Sequence, residues 1–314
     1  MDEIPEEIWP EGSSPAHSWD KEATKRALDE LFTGTRQYRS SQAFSNLLTF
    51  VSRFRFYSPY NSMLLHVQMQ GAQYVAPAHR WLRDYDRTIK PTARPLVILQ
   101  PMGPVMFVFD VSDTVPGAKN IPLPPEVYRP FETSKGHVTM ELDRTIENAK
   151  RDGICVERTK EGSQSAGSIR SVAKNSLPPQ EFQIGLDKFR QPIMTHIPVR
   201  YCIILNTNLS REAQYATLIH ELAHLYCGHL GTPNIKWWPD RRGLGKQVVE
   251  FEAESISYLI CKRLGIESTS EQYLALYMKV NQEVPAISFE CVMKVSGLIE
   301  QMGKQYLKQR KEKE

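Results

Sequence analysis

The sequence predicts an α+β protein of two domains, a small N-terminal one and a C-terminal one organised around a metal-binding helix. Three observations lead there. An H-E-x-x-H run from His220 to His224 follows a short apolar strand pattern, YCIILN. A proline-rich stretch over residues 116–136 (Pro116, Pro122, Pro124, Pro125, Pro130) divides two segments that each mix helix and strand signals. With 314 residues, 41% hydrophobic and 24% charged, the chain is long enough for two cores.

Taken in order, residues 1–20 are rich in Pro, Glu, Ser and Gly without apolar periodicity, and they read as a disordered tail. The N-terminal domain then spans residues 21–115. Apolar residues at helical spacing (Ala27, Leu28, Leu31, Phe32, then Phe44, Leu47, Leu48, Val51) predict two helices, and Pro59 opens a third that Gly71 ends. A short amphipathic piece around Trp81 follows. PLVILQ and VMFVFDV then predict two strands turned around Met102, Gly103 and Pro104.

Beyond the proline-rich linker, the C-terminal domain spans residues 137–314. A helix is expected over 142–149, strands at ICVERT, 168–172 and within 192–204, and the metal helix from an N-cap at Ser210 to about Cys227, where Gly228 stops it. Three more helices are expected, over 248–264, 270–280 and 288–307.

Residues four apart on a helix share one face, so His220 and His224 can offer imidazole nitrogens to one ion. Glu221 flanks that side and can take a proton from a metal-bound water, the arrangement of zinc hydrolases. Leu218, Leu222 and Leu225 lie on a different side and can pack inward. Zinc held by two histidines needs a third protein ligand. On the helix over 248–264, Glu250, Glu254, Ser257 and Cys261 lie beside the packing stripe of Val249, Ala253, Ile256 and Ile260. Glu250 is the expected ligand and Glu254 the group that orients a ligand histidine, with the reverse assignment open; an ordinary solvated face of Glu250, Glu252 and Glu254 is the competing reading. Tyr258 and His229 are candidate donors to a reacting oxyanion.

The five cysteines are odd in number and scattered, with no C-x-x-C pair. That usage fits a reducing cytoplasm and small core residues, and argues against cysteine-ligated zinc. The acidic N-terminus is unlike a signal peptide, and polar and turn residues interrupt the apolar stretch near residues 96–111, so no membrane span is expected. The net charge of +3 is unevenly spread: residues 31–83 contain no Asp or Glu but hold Arg53, Arg55, Arg80 and Arg83 among Phe54, Phe56, Tyr57 and Trp81. Such interleaving marks a candidate single-stranded DNA surface, with the arginines on phosphates and Tyr57 or Trp81 stacking on bases.

IHELAHLYCGH followed by VEFEAESISYLI resembles the zincin-like metallopeptidase domain of ArdC-type antirestriction proteins and is similar to the wider ImmA/IrrE group. YSPYNSMLL, the Trp81 segment and FVFDVSDT resemble the ArdC N-terminal domain. The resemblance implies a Zn²⁺ peptidase whose glutamate ligand stands two residues before an E-A pair, here Glu250, joined to a single-stranded DNA-binding domain. The alternative is a DNA-protecting protein whose zinc is mainly structural.

Overall fold

The computed structural model describes residues 38–100, 103–119, 121–124, 127, 136–160 and 167–310. The expected tail over 1–20 and the helix over 21–32 lie outside these residues, as does part of the proline-rich stretch.

The mixed helix and strand content is that of an α+β protein. In the N-terminal segment, α1 (Ser41–Arg53) begins where the Ser40 side chain accepts from the Ala43 N–H, and α2 (Pro59–Gln68) begins on Ser58 with Pro59 in its first turn. After β1 (Val75–Ala76), α3 (Ala78–Tyr85) and β2 (Arg87–Ile89), a hairpin of β3 (Leu96–Gln100) and β4 (Gly103–Asp110) forms a three-stranded antiparallel sheet in the order β1-β4-β3. The strand β5 (Thr114–Pro116) pairs with β2.

The C-terminal segment contains α4 (Glu141–Lys150), β6 (Ile154–Thr159), β7 (Gly167–Ser171), β8 (Gln180–Leu186), β9 (Pro192–Ile197) and β10 (Tyr201–Asn206). Then come α5 (Arg211–Tyr226), α6 (Lys246–Leu264), α7 (Thr269–Val280) and α8 (Phe289–Lys304). β10 is the middle of a three-stranded sheet, parallel to β6 and antiparallel to β7. Its near-continuous apolar run follows from burial on both faces. β8 was not expected. Its residues, QEFQIGL, bury little beyond Phe182 and are held by pairing with β9, so hydrophobic pattern alone carries no signal there.

One apolar cluster draws on both sides of the proline-rich stretch. Phe44, Leu47 and Leu48 of α1 and Met63 and Leu64 of α2 join Leu218 and Leu222 of α5, Phe251 of α6 and Val292 of α8. A smaller cluster of Phe50, Phe54, Leu65, Val75, Leu96, Ile98 and Val108 belongs to the N-terminal segment alone. Arg263, near the end of α6, is buried between the two segments. Its guanidinium donates to the carbonyls of Val51, Phe54, Arg55 and Tyr57 and pairs with Glu300 at 2.7 Å. The last carbonyls of α1 lack partners within their own helix, and Arg263 supplies them. Among the described residues, no helix is long and apolar enough to cross a membrane.

Candidate metal centre

Ser210 caps α5 by accepting from the Ala213 N–H, and the helix carries His220, Glu221 and His224 past the edge of the small sheet. Leu218, Leu222 and Leu225 are fully buried, so the opposite polar residues are turned toward a groove. α6 lies against α5 and brings Glu250 and Glu254 to the same place.

The Nε2 atoms of His220 and His224 are 3.1 Å apart, and the Glu250 Oε2 stands 3.8 Å from the first and 3.7 Å from the second. Four-coordinate zinc with ligands at about 2.0–2.1 Å separates its ligand atoms by roughly 3.3–3.5 Å. The three donors therefore fit one divalent cation. Burial, and then the proximity of His220 and His229, hold His224 neutral with its pKa lowered to about 3, which keeps its ring nitrogen available as a ligand.

Behind His224 runs a connected set of hydrogen bonds. Its Nδ1 is 3.0 Å from Nδ1 of His229, whose Nε2 is 2.9 Å from the Glu252 carboxylate. With His224 Nε2 kept for a metal, Nδ1–H of His224 donates to His229, and Nε2–H of His229 donates to Glu252. Glu252 is 0% exposed and also accepts a fork from Arg241, at 2.7 Å on each oxygen, and the Ser288 N–H at 2.8 Å. Burial would raise the Glu252 carboxyl, but the bonds from His229, Arg241 and Ser288 outweigh it and hold its pKa below the usual range.

Gly228 makes this return possible. Its φ of +80° reverses the chain just past α5, and a Cβ there would stand 2.0 Å from the Pro239 carbonyl oxygen. His229 thereby turns back behind His224, and the Arg241 N–H reaches the Gly228 carbonyl at 2.9 Å.

Glu254 Oε1 lies 3.8 Å from Nδ1 of His220, on the side away from Glu250, while its Oε2 is buried without a hydrogen-bond partner. The structure thus sets Glu250 among the donors and Glu254 behind His220. Glu221 lies in the groove. Burial, followed by the nearby Glu250 charge, raises its pKa against the opposing effects of His220 and the Ile169 backbone. The groove encloses ≈ 880 Å³ and is lined by Glu212, His220, Glu221, Glu254, Ser257 and Glu267 among others.

Several expected site residues stand elsewhere. Tyr258 packs against the main apolar cluster, and its charged neighbour is Glu271 rather than a group of the centre. His229 sits behind His224 and is bonded at both ring nitrogens, so it is not free to meet an oxyanion. Tyr273 on α7, which the sequence did not single out, is close enough to Glu254 and Glu250 for their charge, after burial, to raise its phenol pKa. Glu252, which the competing reading set on a solvated face, is instead the buried end of the histidine chain.

For the expected DNA-contacting residues, Trp81 requires a correction. It is 0% exposed, packs with Ala76 and Val111, and donates from Nε1 to the Phe109 carbonyl, so it has no face to offer a base. Tyr57 is half-buried with its hydroxyl on the Val75 carbonyl, and Arg55 donates to the Lys262 carbonyl. Arg53 is half-buried, whereas Arg80 and Arg83 are exposed and paired with Asp84.

Residues 175–260 match the IrrE N-terminal-like domain of the M78 peptidases, a span that includes His220, Glu221, His224 and Glu250. An uncharacterised protein of Bacillus anthracis is 23% identical over 292 residues, covering 84% of this chain and 48% of that protein. The chain thus spans about half the length of that relative. Two crystal structures of the antirestriction protein ArdC from plasmid R388, one metal-free and one Mn(II)-bound, are similar over 79% of this chain at 12% identity, with a TM-score of 0.31; the match covers 82% and 85% of those chains. Over residues 175–260 the chain is thus similar to an IrrE N-terminal-like domain, the similarity that its H-E-x-x-H and E-A segments implied.

Proposed function

We propose that the protein is a zinc-dependent metallopeptidase of the type that joins H-E-x-x-H to a downstream glutamate, working in the cytoplasm. The observation that carries this reading is the meeting of His220, His224 and Glu250 donor atoms within 4.8 Å of one another, beside a groove that contains Glu221. The two histidines and Glu250 would hold the ion, which when bound supplies a polarised carbonyl and an acidified water.

The remaining chemistry belongs to the chain. Glu221, with its raised pKa, takes a proton at its carboxylate and returns it to the departing amine. The Glu252 and His229 chain fixes the His224 ring and its tautomer. β7 forms the sheet edge beside α5, where an extended peptide can add as a further strand. Tyr273 packs against the main apolar cluster as Tyr258 does, but the charges of Glu254 and Glu250 reach it, which makes it the candidate phenol for a developing oxyanion.

The test compares two variants in metal analysis and in proteome-wide cleavage profiling. Glu221→Gln should keep zinc and lose cleavage, while His220→Ala should lose both. Purified wild-type protein that takes up no divalent metal would end this reading.

A second reading is single-stranded DNA binding with a mainly structural metal, favoured by the acid-free stretch around Phe56, whose ring is 70% exposed. A labelled oligonucleotide titrated at two salt concentrations tests it. Weaker binding at higher salt supports contact with phosphates, and absence of binding removes the reading.

A further inference from the structure

Cys155 and Glu157 alternate on β6 and therefore share one face of the sheet, and Cys202 on β10 is the register partner of Cys155. The main apolar cluster takes Ile154, Ile203 and Leu205 from the other face. The two Sγ atoms and a Glu157 carboxylate oxygen all lie within 4.8 Å of one another. We propose that Cys155, Cys202 and Glu157 form a second cation site, separate from the groove, for a thiophilic divalent metal such as zinc.

The donor set and its spacing support this assignment. Zinc with Zn–S bonds of about 2.3 Å sets two sulfurs roughly 3.8 Å apart, within the limit observed here. Thiolate ligands select zinc or cadmium over magnesium and calcium. Two thiolates and a carboxylate carry one more negative charge than a divalent ion neutralises. Arg170, the β7 register partner of Cys202, projects from the same face and offsets the excess. Cys202 is fully buried and anchors the site, while Glu157 is exposed and leaves room for water as a fourth ligand.

Cys227, His229 and Glu252 also gather within 4.8 Å, but that set is already committed. Its carboxylate holds the Arg241 fork and its histidine is bonded at both ring nitrogens, so a cation would have to displace an arginine. In the sheet triad, by contrast, Cys202 bonds to Cys155 and Glu157, the other two candidate ligands. The triad's position gives it a structural consequence. β10 runs into the loop before α5, so an ion clamped between β6 and β10 steadies the strand that delivers His220 and His224.

The experiment titrates Cd²⁺ into the full chain under reducing conditions and follows the ultraviolet sulfur-to-cadmium charge-transfer band. Wild-type protein should develop the band with one equivalent of cadmium. His220→Ala and Cys227→Ser/Cys291→Ser should retain it, and Cys155→Ser should lose it. Glu157→Gln, at an exposed position that leaves the sheet intact, should weaken half-saturation by at least about tenfold. A wild-type chain without the band, a band that survives Cys155→Ser with unchanged affinity, or one abolished by His220→Ala in a folded protein would overturn the site. So would a freshly purified chain whose intact mass lacks two hydrogens through a Cys155–Cys202 disulfide.

Discussion

Nδ1 of His224 lies 3.0 Å from Nδ1 of His229, five residues later in the chain, and the second ring is anchored on a carboxylate with no exposure to solvent. The orientation of a candidate metal ligand is thus fixed by a residue beyond the end of its own helix. His229→Ala should lower zinc affinity by about 10–100-fold while leaving the circular dichroism spectrum unchanged, as loss of a hydrogen-bonding support to a ligand histidine does elsewhere. Competition against a zinc chelator measures the change. Unaltered affinity would mean that the second imidazole does not steer the first.

Tyr273→Phe should lower kcat by about 10²-fold or more with little change in KM, once a cleavable peptide is in hand, because an oxyanion donor acts mainly on the transition state. Zinc content should stay the same. Equal losses in Tyr258→Phe and Tyr273→Phe would point to packing and not to chemistry.

Arg263→Met should destabilise the protein by about 3–5 kcal/mol in urea unfolding, since it takes the donor from four backbone carbonyls and leaves Glu300 only the longer pair with Lys304, at 3.5 Å. Arg263→Lys should recover only part of this, because an ammonium cannot fork across four carbonyls and a carboxylate.

Acid should weaken the fold through His66. This ring is 4% exposed, its Nδ1 is hydrogen-bonded to the Tyr38 hydroxyl at 2.7 Å, and burial, aided by the Arg53 charge, lowers its pKa from 6.5 to about 4. As pH falls below 6.5 the unfolded chain binds a proton that the folded chain refuses. Stability therefore declines until about pH 4, where both forms are protonated. Urea midpoints across this window should fall in the wild type, and His66→Gln should flatten the slope.

Much of the centre was legible in the sequence. The i, i+4 spacing of His220 and His224 is a property of the helix itself, and Ser210 and Gly228 announce where that helix begins and ends. A glutamate of the next long helix was expected because zinc demands a third donor, and the family resemblance, through the E-A pair at Glu252 and Ala253, favoured Glu250 over Glu254. The buried role of Glu252 was not legible, because alternating glutamates on a helix resemble a solvated face. What buries it is Arg241, brought in by a loop whose course depends on the Gly228 turn and not on any periodic pattern. Trp81 was misread for a related reason: arginines beside an aromatic look alike whether the ring faces solvent or fills a small core, and only the strand carrying Phe109 decides it.

The Arg263 junction bears on how the chain would respond to a nick. Its bonds reach from one side of the proline-rich stretch to the other, and the largest apolar cluster draws side chains from both. A backbone break within residues 116–136 would leave two fragments that stay associated, each completing the other's interior. The halves would then copurify and fall apart only on denaturation, a behaviour closer to that of a complemented fragment pair than to two beads on a string.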